Sequence, residues 1–357
     1  MKEYISFDSH KHYTLAEREA AESGRQMQCR VEHRRGAIRS YLAQCERGTA
    51  VAVEATGNWY WIVGEIEQAG MRPLLVHPRK AKLMMGMINK TDRLDVHGLN
   101  RLQRNRSLPT VWIPPAELRD LRELTRTRLV LGAQRTRLKN RITATLSKHG
   151  LAEGQASDPY AKKAREALRE RIAELPTQAR WVTEQLLRQL DFVVEQMQEM
   201  EQRLQQLVQV TPQMQWLKSL PGIGVILAAT IALELGEIDR FPSAEHLASY
   251  AGTTPRVHAS GVKIRYGHLR CDVNQYLKWA FVEAANSVAV HYPRYAERHV
   301  SKLYARLRER KGHSKAIGAV ARHLAEASFH VLQGQQPYRD PALGSGLCQG
   351  GVSAKLS

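Results

Sequence analysis

The feature that most limits the fold is a set of short apolar runs in the first third of the chain, two of them closed by an acid. Glu3 to Asp8 (EYISFD) and Thr49 to Glu54 (TAVAVE) end that way, and Arg72 to His77 (RPLLVH) is a third run. Runs so short read as buried strands rather than core helices. His12 to Glu17 and Gln26 to Glu32 alternate well enough for two more strands, while Gly36 to Glu46 and Trp59 to Ala69 carry helical patterns. Strands interleaved with helices predict an α/β domain over residues 1 to about 110.

The stretch NKTDRLDVHGL then opens a helix, with Thr91 as N-cap before Asp92. Asp92 and Asp95 lie about one turn apart, so both carboxylates project from one face. A lone D-x-x-D on a helix is usually solvated surface charge. Here, however, Asp8 and Glu54 close apolar strands, so four acids from three elements can converge at one end of a sheet. Such a cluster is unfavourable alone, because like charges repel and desolvation adds to the cost. A divalent ion removes that penalty. Mg²⁺, with Mn²⁺ as the alternative, prefers carboxylate oxygens and suits phosphoryl chemistry.

Charge points to the substrate class. The 357 residues hold 53 Lys and Arg against 35 Asp and Glu, a formal net charge of +18 spread along the whole chain. A polyanion is the first partner to consider, and nucleic acid fits best. No membrane partner is expected: MKEYISFDSHKHY has no apolar signal core, and the longest apolar run, Val225 to Leu235, is too short to span a bilayer. Cys29, Cys45, Cys271 and Cys348 form no C-x-x-C pair, so a zinc ribbon is not expected and reduced cytoplasmic thiols are. His10-Lys11-His12 reads as a solvated turn.

Pro109, Pro114 and Pro115 mark a break, and from Ala116 the pattern is helical and very basic. After the loop HGLAEGQASDP, a long helix carries Val182, Leu186, Leu190, Val193, Met197, Met200, Leu204 and Leu207 at a/d spacing. That seam fits an intramolecular hairpin or a dimer arm. From Thr211, WLKSLPGIGVILAATIALEL has the shape of a helix-hairpin-helix. Its Gly222 and Gly224 let backbone approach a phosphate, and the second helix offers its amides. Helices follow at Ala244 to Ala251, Val273 to Val290 and Ser314 to Leu332, and a Gly-, Pro- and Ser-rich tail is expected to be disordered. The expected division is 1–112 (α/β, metal-binding), 113–210 (basic helical or coiled-coil arm), 211–334 (helical C-terminal domain) and 335–357 (tail).

Taken together, Tyr4 to Asp8 (YISFD), Val53 to Gly57 (VEATG), Lys90 to Asp95 (KTDRLD), Leu220 to Gly224 (LPGIG), and Tyr250 to Arg256 (YAGTTPR) followed by Ser260-Gly261 resemble the DEDD transposases of bacterial insertion sequences. That family includes the Piv invertase and the bridge-RNA-guided recombinases. The motifs occur in the family's order and span residues 3 to 333. Two departures stand out. Ser6 occupies a position that is often Gly, and Arg270-Cys271-Asp272-Val273-Asn274 lacks the glycine of the family's turn after S-G.

The resemblance implies a RuvC-like, RNase H-type N-terminal domain with Asp8, Glu54, Asp92 and Asp95 as metal-binding acids. It implies that Ser260 is a nucleophile attacking a DNA phosphodiester to form a transient phosphoserine bond, which splits one difficult step into two. Arg256, Lys263, Arg265 and Arg270 surround that serine in sequence and can neutralise phosphate charge. Without the resemblance they read as a solvated basic loop. His258 is a candidate proton acceptor. The resemblance further implies double-stranded donor and target DNA, a noncoding guide RNA, a dimer or tetramer with a composite site, and a cytoplasmic, nucleoid-associated location in bacteria. The rival readings are a RuvC-like structure-specific endonuclease with no covalent intermediate, and a non-catalytic nucleic-acid binder.

Overall fold

The structure, a computed structural model, describes residues 3–86, 91–151, 158–260, 263–270 and 272–341. It divides into two compact units, Met1–Pro114 and Pro115–Ser357.

The first unit is built on β1 (Glu3–Ser9), β2 (Tyr13–Ala20), β3 (Gln26–Glu32), α1 (Ala37–Leu42), β4 (Ala50–Glu54), α2 (Trp59–Gln68), β5 (Arg72–Val76), α3 (Pro78–Met85) and α4 (Asp92–Arg104). The five strands form one mixed sheet in the order β3-β2-β1-β4-β5. The first three run antiparallel, and β4 and β5 run parallel to β1. This is an RNase H-like topology. Helices flank the sheet: Ile5, Phe7, Val51 and Val53 pack with Ile38, Leu42, Ile62 and Ile66, while Ala52 and Val76 pack with Ala81, Leu99 and Leu102. Strands covered in this way lose water from both faces, which is why TAVAVE is apolar at successive positions. The strand expected from His12 to Glu17 extends to Ala20. Thr91 caps α4 as expected, its hydroxyl accepting from the Leu94 amide at 3.3 Å, a bond that typically stabilises a helix by about 1 kcal/mol.

The second unit is largely helical: α5 (Ala116–Lys148), α6 (Arg165–Ala173), α7 (Thr177–Val210), α8 (Pro212–Lys218), α9 (Val225–Leu235), α10 (Ala244–Tyr250), a hairpin of β6 (Pro255–Ser260) and β7 (Lys263–Leu269), then α11 (Gln275–His291), α12 (His299–Lys311) and α13 (His313–Gln333). The seam of α7 is filled from within the chain, by Leu131, Leu138, Ile142 and Leu146 of α5 together with α6. Its first turns differ from expectation. Thr183 and Leu187 are buried, whereas Val182 is exposed. A second core gathers α8 to α13 around Phe281, Leu247 and Leu324.

Two expectations change here. The segment around Ser260 is not a plain loop: β6 and β7 pair antiparallel, with Val257 opposite Tyr266 and Ser260 opposite Lys263. Nor does disorder begin at Gln335. The Tyr338 amide donates to Ser219 Oγ at 2.7 Å, and the Asp340 carboxylate accepts from the His299 amide at 3.1 Å, at the start of α12. The rest of the tail, 342–357, lies outside the described residues, as do Lys90, Gly261, Cys271 and Cys348. Among the described residues no helix is long and apolar enough to cross a membrane.

Candidate metal centre

Asp8 sits at the C-terminal end of the central strand β1 and is buried. Its neighbours Phe7 and Val53 pair across the parallel β1–β4 ladder. Asp8 and Glu54 therefore leave adjacent strands at the same level and on the same face. Asp92 and Asp95 stand in the first turn of α4. Of these four acids, Asp8 and Asp92 come together around a residue that sequence reasoning assigned to solvent. His10 Nε2 lies 3.3 Å from Asp8 Oδ2 and 3.2 Å from Asp92 Oδ2, and the three ligating atoms lie within 4.8 Å of one another. The reading of His10 as a solvated turn residue is corrected accordingly.

The loop that carries His10 is held from two sides. Asn58 Nδ2 donates to the His10 carbonyl at 2.9 Å, and the Thr56 and Ser9 hydroxyls donate to Asn58 Oδ1. The ring stacks on Tyr13 at 4.6 Å between centroids. The Tyr13 hydroxyl in turn donates to Asp92 Oδ2 at 3.1 Å, and the Arg30 guanidinium covers the Tyr13 ring at 3.9 Å. Burial pushes the Asp8 carboxyl above the usual carboxylate range. The His10 ring offsets part of that, and the charges of Asp92 and Asp95 add to the rise.

These residues fit a divalent ion. His10 Nε2 is shielded from solvent and lies between the two carboxylates at ion-pair distance from each. Two carboxylate oxygens and an imidazole nitrogen this close together can serve as ligands of one cation. Two oxygens and one imidazole nitrogen form a mixed set. Mg²⁺ suits the oxygens, and the nitrogen favours a softer ion such as Mn²⁺. A second cluster, Glu17 and Glu19 of β2 with His97 of α4, meets the same distance criterion.

In the second unit the candidate residues divide. Arg256 and Arg265 are exposed on the β6–β7 hairpin. Arg270 is already engaged, its guanidinium donating to Ser249 Oγ and to Asp272. Lys263 opposes Ser260 in the ladder. Gly222 has φ +77°, and a Cβ there would stand 2.3 Å from the Ala284 carbonyl oxygen. Packing against α11 therefore requires a glycine at this position. Gly224, the N-cap of α9, has open space where a Cβ would be.

An RNase H-like sheet with two carboxylates and a histidine gathered at the end of its central strand suits the class of divalent-metal-dependent enzymes that act on nucleic acid. Comparison with known proteins narrows it. A DEDD transposase model of the IS110 type matches residues 8–150, and one described as "Transposase IS116/IS110/IS902 family" matches residues 214–300. The chain is 25% identical over 292 residues to the transposase for insertion sequence element IS1111A of Coxiella burnetii, covering 81% of this chain and 79% of that protein. It is 25% identical over 299 residues to a pilin gene-inverting protein of Moraxella bovis, covering 80% of each. The chain is a DEDD transposase of the IS110 family, related to the pilin gene-inverting proteins.

Proposed function

We propose that the chain is the transposase of an insertion sequence that recombines double-stranded DNA through a covalent phosphoserine intermediate at Ser260. The observation that carries the reading is the convergence of Asp8, His10 and Asp92 at the end of β1, in a chain whose second unit also matches the family. In this reading the first unit is a RuvC-like domain, Asp8, Glu54, Asp92 and Asp95 hold Mg²⁺ or Mn²⁺, and Pro212–Leu235 is a helix-hairpin-helix. The divalent ion, when bound, neutralises phosphodiester charge. Ser260 Oγ attacks phosphorus, the P–O bond to one strand breaks, and that strand's oxygen leaves with a proton. A strand hydroxyl then attacks the phosphoserine and returns the serine to its free form. Arg256 and Arg265 sit on the serine's hairpin, where cations stabilise the developing charge.

The similarity to a pilin gene-inverting protein supports DNA rearrangement over simple cleavage. A charge of +18 spread along the chain supports backbone recognition of DNA and of a noncoding guide RNA that delegates sequence readout to base pairing. The boundaries at 112 and 210, the dimer or tetramer, and the bacterial cytoplasmic, nucleoid-associated location belong to the same proposal.

Recombination of a plasmid carrying the element's ends tests it, with a denaturing gel for protein–DNA adducts. Ser260→Ala should abolish both product and adduct, and Asp92→Asn should abolish product. Undiminished recombination by Ser260→Ala would leave a RuvC-like endonuclease without a covalent step. Sequencing RNA that copurifies with the protein, expressed beside its element DNA, tests the guide.

A further inference from the structure

Helix α4 presents Asp92 and Asp95, yet it is fastened to the sheet by side chains outside the metal centre. Ser6 Oγ donates to the Val96 carbonyl at 2.8 Å. Glu17 Oε1 accepts from Asn100 Nδ2 at 3.0 Å and stands 3.2 Å from His97 Nδ1. Gln28 Nε2 donates to Glu17 Oε2 at 2.7 Å and reaches the Arg93 carbonyl at 3.3 Å. Glu19 Oε1 accepts from Arg104 at 2.8 Å. Glu17 and Glu19 alternate on β2 and share its face, and His97, Asn100 and Arg104 share one face of α4. The two carboxylates are 0% and 2% exposed.

Two buried carboxylates are an expensive way to join a helix to a strand. Apolar side chains of similar volume would hold at least as well. What the carboxylates add is direction, because each hydrogen bond fixes the helix in rotation and height. That matters here. A carboxylate about 5 Å from the helix axis moves about 2 Å when the helix rolls by about 20°, and metal ligands tolerate about 0.2 Å. Arg104 answers the charge of Glu19, and the oxygens of Glu17 are already taken up by the amides of Gln28 and Asn100 and by the His97 ring.

We propose that Glu17 is a positioning residue for the metal centre: anchored by Asn100, His97 and Gln28, it sets the roll of α4 so that Asp92 meets His10 and Asp8. The proposal rests on the reading of Asp8, His10 and Asp92 as ligands.

Calorimetric titration of the full-length protein with Mn²⁺ tests it, together with single-turnover DNA cleavage. Glu17→Leu should bind Mn²⁺ about 10- to 100-fold more weakly, as loss of an outer-shell partner does. It should lower the maximal single-turnover rate while leaving the concentration for half-maximal rate unchanged. Glu17→Gln, which keeps an acceptor for Asn100, should recover part of the affinity. Ile62→Val, a core change elsewhere in the unit, should leave affinity at the wild-type value well below its melting temperature. Should Glu17→Leu not fold, His97→Leu at a half-exposed position should show the same direction with a smaller loss. Wild-type affinity in Glu17→Leu, alongside lost binding in Asp92→Asn, would overturn the positioning role alone. Unchanged binding in Asp92→Asn would overturn the metal reading beneath it. A Mn²⁺ equivalent that survives Asp92→Asn but vanishes in Glu17→Leu would make Glu17 a ligand and also overturn the proposal.

Discussion

The Nε2 atom of His10 stands 3.2 Å from Oδ2 of Asp92, so a loop residue and a helix residue meet beyond the end of β1. Were this a simple ion pair, its removal would cost little at a half-exposed position. As a ligand, the imidazole contributes to both affinity and choice of ion. His10→Ala should therefore weaken Mn²⁺ binding by about 10-fold or more. It should also narrow the gap between Mn²⁺ and Mg²⁺, because the remaining donors are all oxygens. Parallel titrations with the two ions read both effects. Equal loss for both ions would show that the ring orders the loop rather than ligating.

Asp8 gives a pH dependence whose direction depends on metal. Burial, reinforced by Asp92 and Asp95 against the pull of His10, raises its carboxyl above the ordinary range. The metal-free fold thus holds a proton there more tightly than the unfolded chain does. That contribution to stability is complete below the ordinary carboxylate value of about 3.9 and is lost as pH rises through the raised folded value. At pH 7.5 without metal, Asp8→Asn should melt a few degrees higher than wild type, and the gain should shrink towards pH 4. Excess Mn²⁺ should reverse the order, stabilising wild type through a binding step that requires the ionised carboxylate. Thermal melts at the two pH values, with and without ion, decide it. A variant that melts lower than wild type at pH 7.5 without metal would contradict the assignment.

Gly222 and Gly224 should part company. At Gly222 a side chain must adopt φ +77° with its Cβ 2.3 Å from the Ala284 carbonyl. The left-handed backbone costs about 1–2 kcal/mol, and relieving the overlap about 1–3 more. Gly224 has an ordinary φ of −91° and open space, so Gly224→Ala should leave the unfolding free energy within about 0.5 kcal/mol of wild type. Urea unfolding followed through the second unit separates the two. Matching losses would mean that both glycines serve packing.

What could be read from the chain and what could not have physical reasons. Buried strands ending on Asp8 and Glu54, and the cap at Thr91, are written in local runs of a few residues, so the elements carrying the four acids were legible. His10 was not, because nothing in His10-Lys11-His12 marks a ligand. Its place is set by a turn that Asn58 holds from 48 residues away. The seam of α7 was misread in its first turns because a core position there is Thr183, whose hydroxyl returns its hydrogen bond to the Ala179 carbonyl at 2.7 Å and so passes as apolar. The β6–β7 hairpin was missed because Val257 and Tyr266 face solvent and give no alternation towards a core. Buried charges such as Glu17 and Glu19 look like any surface Glu until their partners arrive from elsewhere in the fold.

Glu234 is the strongest case of such a charge, and its loss should be felt in the neighbourhood of Ser260. Its carboxylate is fully buried on α9. It accepts from Arg126 Nε at 2.7 Å and Nη2 at 3.0 Å, and from Asn274 Nδ2 at 2.9 Å. Arg122 is buried beside it and donates to the Leu233 and Glu234 carbonyls. Asn274 also caps α11, accepting from the Tyr276 and Leu277 amides, and α11 follows directly on the β6–β7 hairpin. Glu234→Ala leaves buried guanidinium charge without its carboxylate, which costs about 3–5 kcal/mol. Replacing both Arg126 and Glu234 by Met should recover part of that, since an apolar pair strands less charge. The Tyr276 and Leu277 amides should exchange faster in the single variant, because the cap loses the carboxylate that orients it. Denaturant unfolding and amide exchange measure the two effects independently. A loss below about 1 kcal/mol with unchanged exchange would mean that α5 and α11 are held by their apolar faces alone.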